Sequence, residues 1–157
     1  TQMNVFLDKL KTLKKKDCVV LSSIFDDKFF DIIQKLRETH KKEDTWVVSS
    51  SPSWIKGSKE AEQWCIKNDK KYNKMHGLVY EEALEMLAKS KGLCFLPTGA
   101  DTCPRLVIEA KLLNCELELN KNVQHVAEKW FNTTDLETTE NYLKARPTVF
   151  WERVNSV

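Results

Sequence analysis

No stretch of this sequence is apolar for anything near the ~20 residues a helix needs to cross a bilayer. The segment from Val5 to Leu13 is interrupted by Asp8, Lys9 and Lys11, which a secretory signal does not carry in its apolar region. Charge of one sign is also missing. The 25 Lys and Arg residues stand against 23 Asp and Glu, a formal charge of +2, which leaves no strong electrostatic case for nucleic acid. The lysines are spread, with small clusters at Lys14–Lys16 and Lys70–Lys71, and read as a solvated surface. There is no CxxC pair. The five cysteines, Cys18, Cys65, Cys94, Cys103 and Cys115, are odd in number, and three sit in or beside apolar runs, the pattern of reduced, largely buried thiols in a cytoplasmic protein. His40, His76 and His125 are too far apart for metal-ligand spacing, so no metal is expected.

What is present is an alternation. With 157 residues, 41% of them hydrophobic and 31% charged, the chain is a globular domain able to bury roughly 68–70% of its unfolded surface. Asp17–Ser23, Thr45–Ser50, Leu93–Pro97 and Cys115–Asn120 read as short strands. Lys28–Lys42, Ser58–Asn68, Tyr80–Ser90 and Pro104–Leu113 read as helices. Ser58 is a candidate cap, Gly92 a candidate stop for the third helix, and Asn114 a left-handed stop for the fourth. From about Val123 the chain reads as two or three further helices. The strands lack a clean period of two, as strands buried on both faces do. The expected fold is therefore α/β: a Rossmann-like open parallel sheet flanked by helices, in one domain spanning residues 1–157. In such sheets ligands bind beyond the carboxyl ends of the strands, which points to the loops Ser22–Lys28, Ser49–Ser58 and Pro97–Pro104.

The segment Gly92–Asn120 carries the chemistry. Thr98-Gly99-Ala100-Asp101-Thr102 places small residues where a strand hands over to a helix, so a ligand can approach the backbone. The helix that follows, just after Cys103, presents unpaired amides suited to a phosphate. Glu109 interrupts the apolar run Leu106-Val107-Ile108-Glu109-Ala110, where a carboxylate can accept hydrogen bonds from two adjacent ribose hydroxyls. Beside these stand blander roles: Glu109 paired with Arg105 one turn earlier, Asp101 leading into the helix, Gly99 as a turn glycine, Lys28 as a surface lysine.

Pro97 closing a strand, then Asp101, seven intervening residues and Ile108-Glu109-Ala110, together resemble the donor-binding domain of retaining glycosyltransferases with the GT-B fold. The likeness extends upstream through His76-Gly77-Leu78-Val79 and Glu81-Glu82-Ala83-Leu84, and downstream to Phe150-Trp151-Glu152-Arg153-Val154. It implies transfer of a hexose from a nucleotide-diphosphate sugar with retention, and no further cofactor. Asp101, standing where the family has glutamate, is implied to be the catalytic residue that orients the sugar hydroxyls. Glu109 is implied to hold the ribose, and the turn at Gly77 to lie near the base. Lys28 and the amides after Asp101, at Thr102 and Cys103, are implied to serve the diphosphate, and the loop residues Thr98 and Gly99 are implied to bind the nucleotide sugar with them. Ser23 stands where the family has an arginine, so Lys56 and Arg105 are the candidate replacements. The family's site lies between two domains. The N-terminal acceptor-binding domain, or a partner subunit replacing it, is expected outside this chain, and Thr1-Gln2 ahead of Met3 is expected of an excised piece. Trp130 and Trp151 are candidates for burial against that partner.

Two alternatives keep the fold and change the function. One is a non-catalytic nucleotide- or nucleotide-sugar-binding module, favoured by Ser23 and Asp101. The other is a flavodoxin- or receiver-like signalling domain, for which Asp26-Asp27 supplies acidic residues but no strand ends in a phosphoacceptor aspartate.

Overall fold

The computed structural model describes residues 23–156. The strand expected at Asp17–Ser23 lies outside them except for Ser23, as does Cys18. The described chain runs α1 (Asp27–Thr39), β1 (Glu43–Ser49), a 3-10 turn (Trp54–Lys56), α2 (Ser58–Lys67), β2 (Tyr72–Met75), α3 (Tyr80–Lys89), β3 (Ser90–Phe95), α4 (Arg105–Leu112) and β4 (Glu116–Leu119). A 3-10 turn (Gln124–Ala127), α5 (Leu136–Lys144) and α6 (Arg146–Asn155) complete it. Among the described residues the four strands form one open, all-parallel sheet in the order β2-β1-β3-β4, a Rossmann-like α/β arrangement. No helix among them is long and apolar enough to cross a membrane.

The central strands β1 and β3 are covered on both faces, which explains their missing alternation, while β2 and β4 at the edges are only partly buried. Trp46, Val47 and Val48 are all buried. Trp46, Val48 and Cys94 pack beneath Ala61 and Cys65 of α2. Val47, Leu93 and Phe95 point the other way, into the larger core built by α1, α3, α4 and α5. Side chains such as Ile33, Leu93 and Ile108 are fully buried there, each worth roughly 1.5–3 kcal/mol of hydrophobic stabilisation. Trp130 stacks on Tyr142 at 4.7 Å and packs, partly buried, against this core. Phe150, Trp151 and Val154 on α6 are exposed.

Two local expectations are corrected. Gly92 does not end α3. It lies within β3, where a Cβ would sit 2.8 Å from the Trp46 indole; the helix stops earlier, at Lys89. Ser58 does not cap α2. Gly57, with φ +65°, takes the cap position. The Ser58 hydroxyl instead accepts from the Ser51 amide at 3.2 Å and donates to the Ser51 carbonyl at 3.3 Å. Asn114 does adopt the left-handed conformation, φ +58°, and turns the chain from α4 into β4.

Candidate functional site

The strand order reverses between β1 and β3, so the loops after these two strands leave the sheet in opposite directions. A crevice at such a reversal is where ligands bind in open α/β sheets. Here the two loops are tied together. The Thr98 amide donates to the Ile55 carbonyl at 2.9 Å and the Thr98 hydroxyl to the Trp54 carbonyl at 3.0 Å. Lys56 Nζ lies 2.6 Å from Asp101 Oδ2. Gly57 sits so close to the second loop that a Cβ would fall 1.8 Å from the Leu96 carbonyl oxygen. The segment after β4 braces the same loop. Asn120 and Asn122 both donate side-chain amides to the Pro97 carbonyl, at 2.9 and 2.8 Å. Asp101 joins Val123 in an isolated parallel bridge, with its amide 2.8 Å from the Asn122 carbonyl. A groove of about 360 Å³ opens alongside, between Ser51–Trp54, Ser58–Glu60 and Thr98.

A larger cleft, about 950 Å³, opens between the starts of α1, α3 and α4 and the junction of α5 with α6. Asp26 caps α1, accepting from the Phe29 amide at 2.9 Å, and Phe25 stacks on Phe29 at 4.1 Å. The Arg105 guanidinium lies 4.7 Å over the Phe25 ring. Lys28, Arg105 and Lys144 are the cations of the lining, which also includes Asp26 and Asp27.

Behind this cleft stands Glu109, on α4 and only 6% exposed. The Tyr80 hydroxyl donates to Glu109 Oε1 at 3.0 Å, and Arg105 Nε lies 3.6 Å from the same oxygen. Burial raises the pKa of Glu109, and the Tyr80 hydrogen bond and the Arg105 charge pull it partly back. The Tyr80 phenol is pushed up to about 12, chiefly by burial and then by the Glu109 charge. Tyr80 reaches this place because Gly77, φ +67°, turns the chain out of β2 and the Glu82 carboxylate accepts from the Val79 amide at 3.2 Å, fixing the first turn of α3.

The residues singled out in the sequence therefore fall into two groups. Lys28 and Arg105 line the large cleft, with Glu109 held against Arg105. Thr98, Gly99, Lys56 and Asp101 gather at the crevice between β1 and β3; Gly99 packs against Ile55. Thr102 and Cys103 connect the two groups, and Cys103 Sγ lies 3.0 Å from Ser23 Oγ at the start of the described chain. Gly77 is exposed, with nothing within 4 Å of where a Cβ would stand. Lys56 and Asp101 are paired with each other rather than standing free. Sequence reasoning missed Tyr80, because nothing local marks a tyrosine at a helix start as the partner of a carboxylate on the next helix. It also missed the buried cluster beyond β4. There Glu128 accepts from Gln124 at 2.8 Å and Trp130 at 2.7 Å, and lies 3.0 Å from His125 Nδ1. Burial alone would raise the pKa of Glu128, but these hydrogen bonds prevail and hold it low.

Among the described residues no group of three or more His, Cys, Asp or Glu side chains is arranged to hold a metal ion. Set against known proteins, the chain matches no family model, no curated protein and no solved structure.

Proposed function

We propose that this chain is the donor-binding domain of a glycosyltransferase that moves a hexose from a nucleotide-diphosphate sugar to an acceptor. The observation that carries the reading is Glu109: a buried carboxylate, held through one oxygen, behind a cleft with cations at its rim and at the starts of three helices. Both described contacts fall on Oε1, which leaves Oε2 for the hydroxyls of a ribose. Lys28, Arg105 and the unpaired amides at the start of α4 suit the diphosphate, by charge and by the positive helix pole. Stabilising the departing diphosphate is the protein's main electrostatic task in such a transfer. Asp101 would meet the sugar from the crevice side, with Lys56 fixing its carboxylate. The exposed Phe150, Trp151 and Val154 of α6 offer an apolar face to the acceptor-binding domain that completes the site. Free thiols at Cys65, Cys94, Cys103 and Cys115 suit the cytoplasm.

A second reading, a non-catalytic nucleotide-sugar-binding module, is favoured by one observation: the Lys56 ion pair already engages the Asp101 carboxylate. One experiment tests both. UDP, GDP and ADP and their hexose conjugates are titrated while backbone amide shifts are followed. Saturable shifts around Arg105 that vanish in Glu109→Ala support donor binding; no response to any nucleotide removes both readings. Hydrolysis or transfer of the sugar once the acceptor domain is supplied separates the enzyme from the module.

A further inference from the structure

We infer that Tyr80 is a positioning residue for Glu109: its hydroxyl fixes one carboxylate oxygen so that the other is presented, ionised, to the ligand. The inference rests on the donor-binding reading for the identity of the ligand, but not for the coupling between the two side chains. Tyr80 stands on the first turn of α3 and lines the large cleft itself. Its hydroxyl crosses to α4 and donates to Glu109 Oε1 at 3.0 Å. Arg105 approaches the same oxygen from one turn earlier on α4, at a longer 3.6 Å, while its guanidinium is committed to the face of Phe25. Tyr80 from α3 and Arg105 from its own helix are the titratable and charged groups with a described contact to Glu109. The phenol is the short, directional contact of the two, and it is neutral.

That choice of partner has a chemical consequence. A second cation at this distance would keep the carboxylate ionised but compete with ligand hydroxyls for it. A phenol donates one hydrogen bond and stops there. Ionised Glu109 accepts from a ligand diol; protonated, it spends one oxygen as a donor and loses that geometry. Tyr80 therefore sets how far the pH can fall before the site stops accepting hydroxyls.

The test compares the full chain with Tyr80→Phe, which keeps the ring and removes the bond. Carboxyl ¹³C shifts of Glu109 are followed through the acid range without ligand. In the variant its midpoint should move up by about one pH unit, the size expected for loss of one hydrogen bond to the charged form. In the wild type, the Tyr80 Cζ resonance should report the same midpoint as Glu109, which needs no variant at all. Binding of the nucleotide found to saturate the site is then measured from about pH 5 to pH 8. Affinity should match within about threefold at the alkaline end and fall tenfold per pH unit below the midpoint, from a higher pH in Tyr80→Phe. Coincident Glu109 midpoints, or a Tyr80 resonance blind to Glu109, would overturn the inference. So would an affinity loss equal at every pH, which is what a purely structural role gives. If the midpoints move as stated and no nucleotide binds, the positioning stands and the donor-binding reading fails.

Discussion

Lys56 Nζ lies 2.6 Å from Asp101 Oδ2, and that pair joins the loop leaving β1 to the loop leaving β3. The carboxylate is the more buried partner, at 10% exposure against 39% for the lysine. Removing the lysine strands a shielded charge; removing both members does not. Lys56→Met should therefore destabilise the fold by about 1–3 kcal/mol, the cost of leaving a charged group without its partner. The double variant Lys56→Met with Asp101→Leu should recover part of the loss. Denaturant midpoints for the four corners of this cycle measure the coupling, and a value within about 0.5 kcal/mol of zero would mean that the pair does not hold the loops together.

Asp101 is also the residue proposed to face the transferred sugar, and this is separable from its structural role. Asp101→Asn keeps the shape and can still accept from Lys56. If the carboxylate meets sugar hydroxyls, the variant should lose about tenfold in affinity for the nucleotide sugar, roughly one charge-assisted hydrogen bond, with little change for the free nucleoside diphosphate. Calorimetric titration of the two ligands gives the comparison. Equal losses for both would assign Asp101 to the loop alone.

Gly57 is the clearest test of how the crevice is built. Its φ of +65° is one that side chains rarely adopt, and an added Cβ would fall 1.8 Å from a backbone oxygen that cannot swing aside. Gly57→Ala should cost about 3 kcal/mol or more, since the strain of a left-handed alanine adds to a displaced loop. Gly77→Ala has the same sign of φ but open space around it, and should cost only about 1 kcal/mol. Unfolding of the two variants side by side separates conformational strain from steric contact.

The central strands were legible because both of their faces are covered; the edge strand β2, Tyr72–Met75, is half exposed and was not read as a strand. Runs such as Trp46-Val47-Val48 and Leu93-Cys94-Phe95 announce doubly buried strands, and the inner stripe Ala83, Leu84, Leu87, Ala88 announces α3, with Ala83 only partly buried. Boundaries shifted where a tertiary contact overrode a local signal. Gly92 looks like a helix stop but is a glycine because Trp46 lies on it, and Ser58 looks like a cap but is used by Ser51. Glu109 was legible as an acid within an apolar helix. Its partner Tyr80 was not, because a hydrogen bond between helices separated by a strand leaves no periodic trace. The same holds for Asn120 and Asn122, whose shared target, the Pro97 carbonyl, is set only by the fold.

Glu109 also carries a pH dependence whose sign follows from its environment. Burial raises its pKa above the ordinary value of 4.5, with Tyr80 and Arg105 opposing. Between the unfolded and folded values the native protein retains a proton that the unfolded chain has lost. The contribution of this residue to stability therefore declines as pH rises through that window and is level above it. Ionised Glu109 is thus a cost at neutral pH, the opposite of a surface carboxylate in a good ion pair. Glu109→Gln preserves an acceptor for the Tyr80 hydroxyl and removes the titration. The stability of the variant relative to wild type should be greatest at neutral pH and shrink as pH falls toward 4.5. Urea denaturation at matched pH values checks this. A difference that grows on acidification would mean that Glu109 is held below its ordinary range, and that Tyr80 and Arg105 outweigh burial.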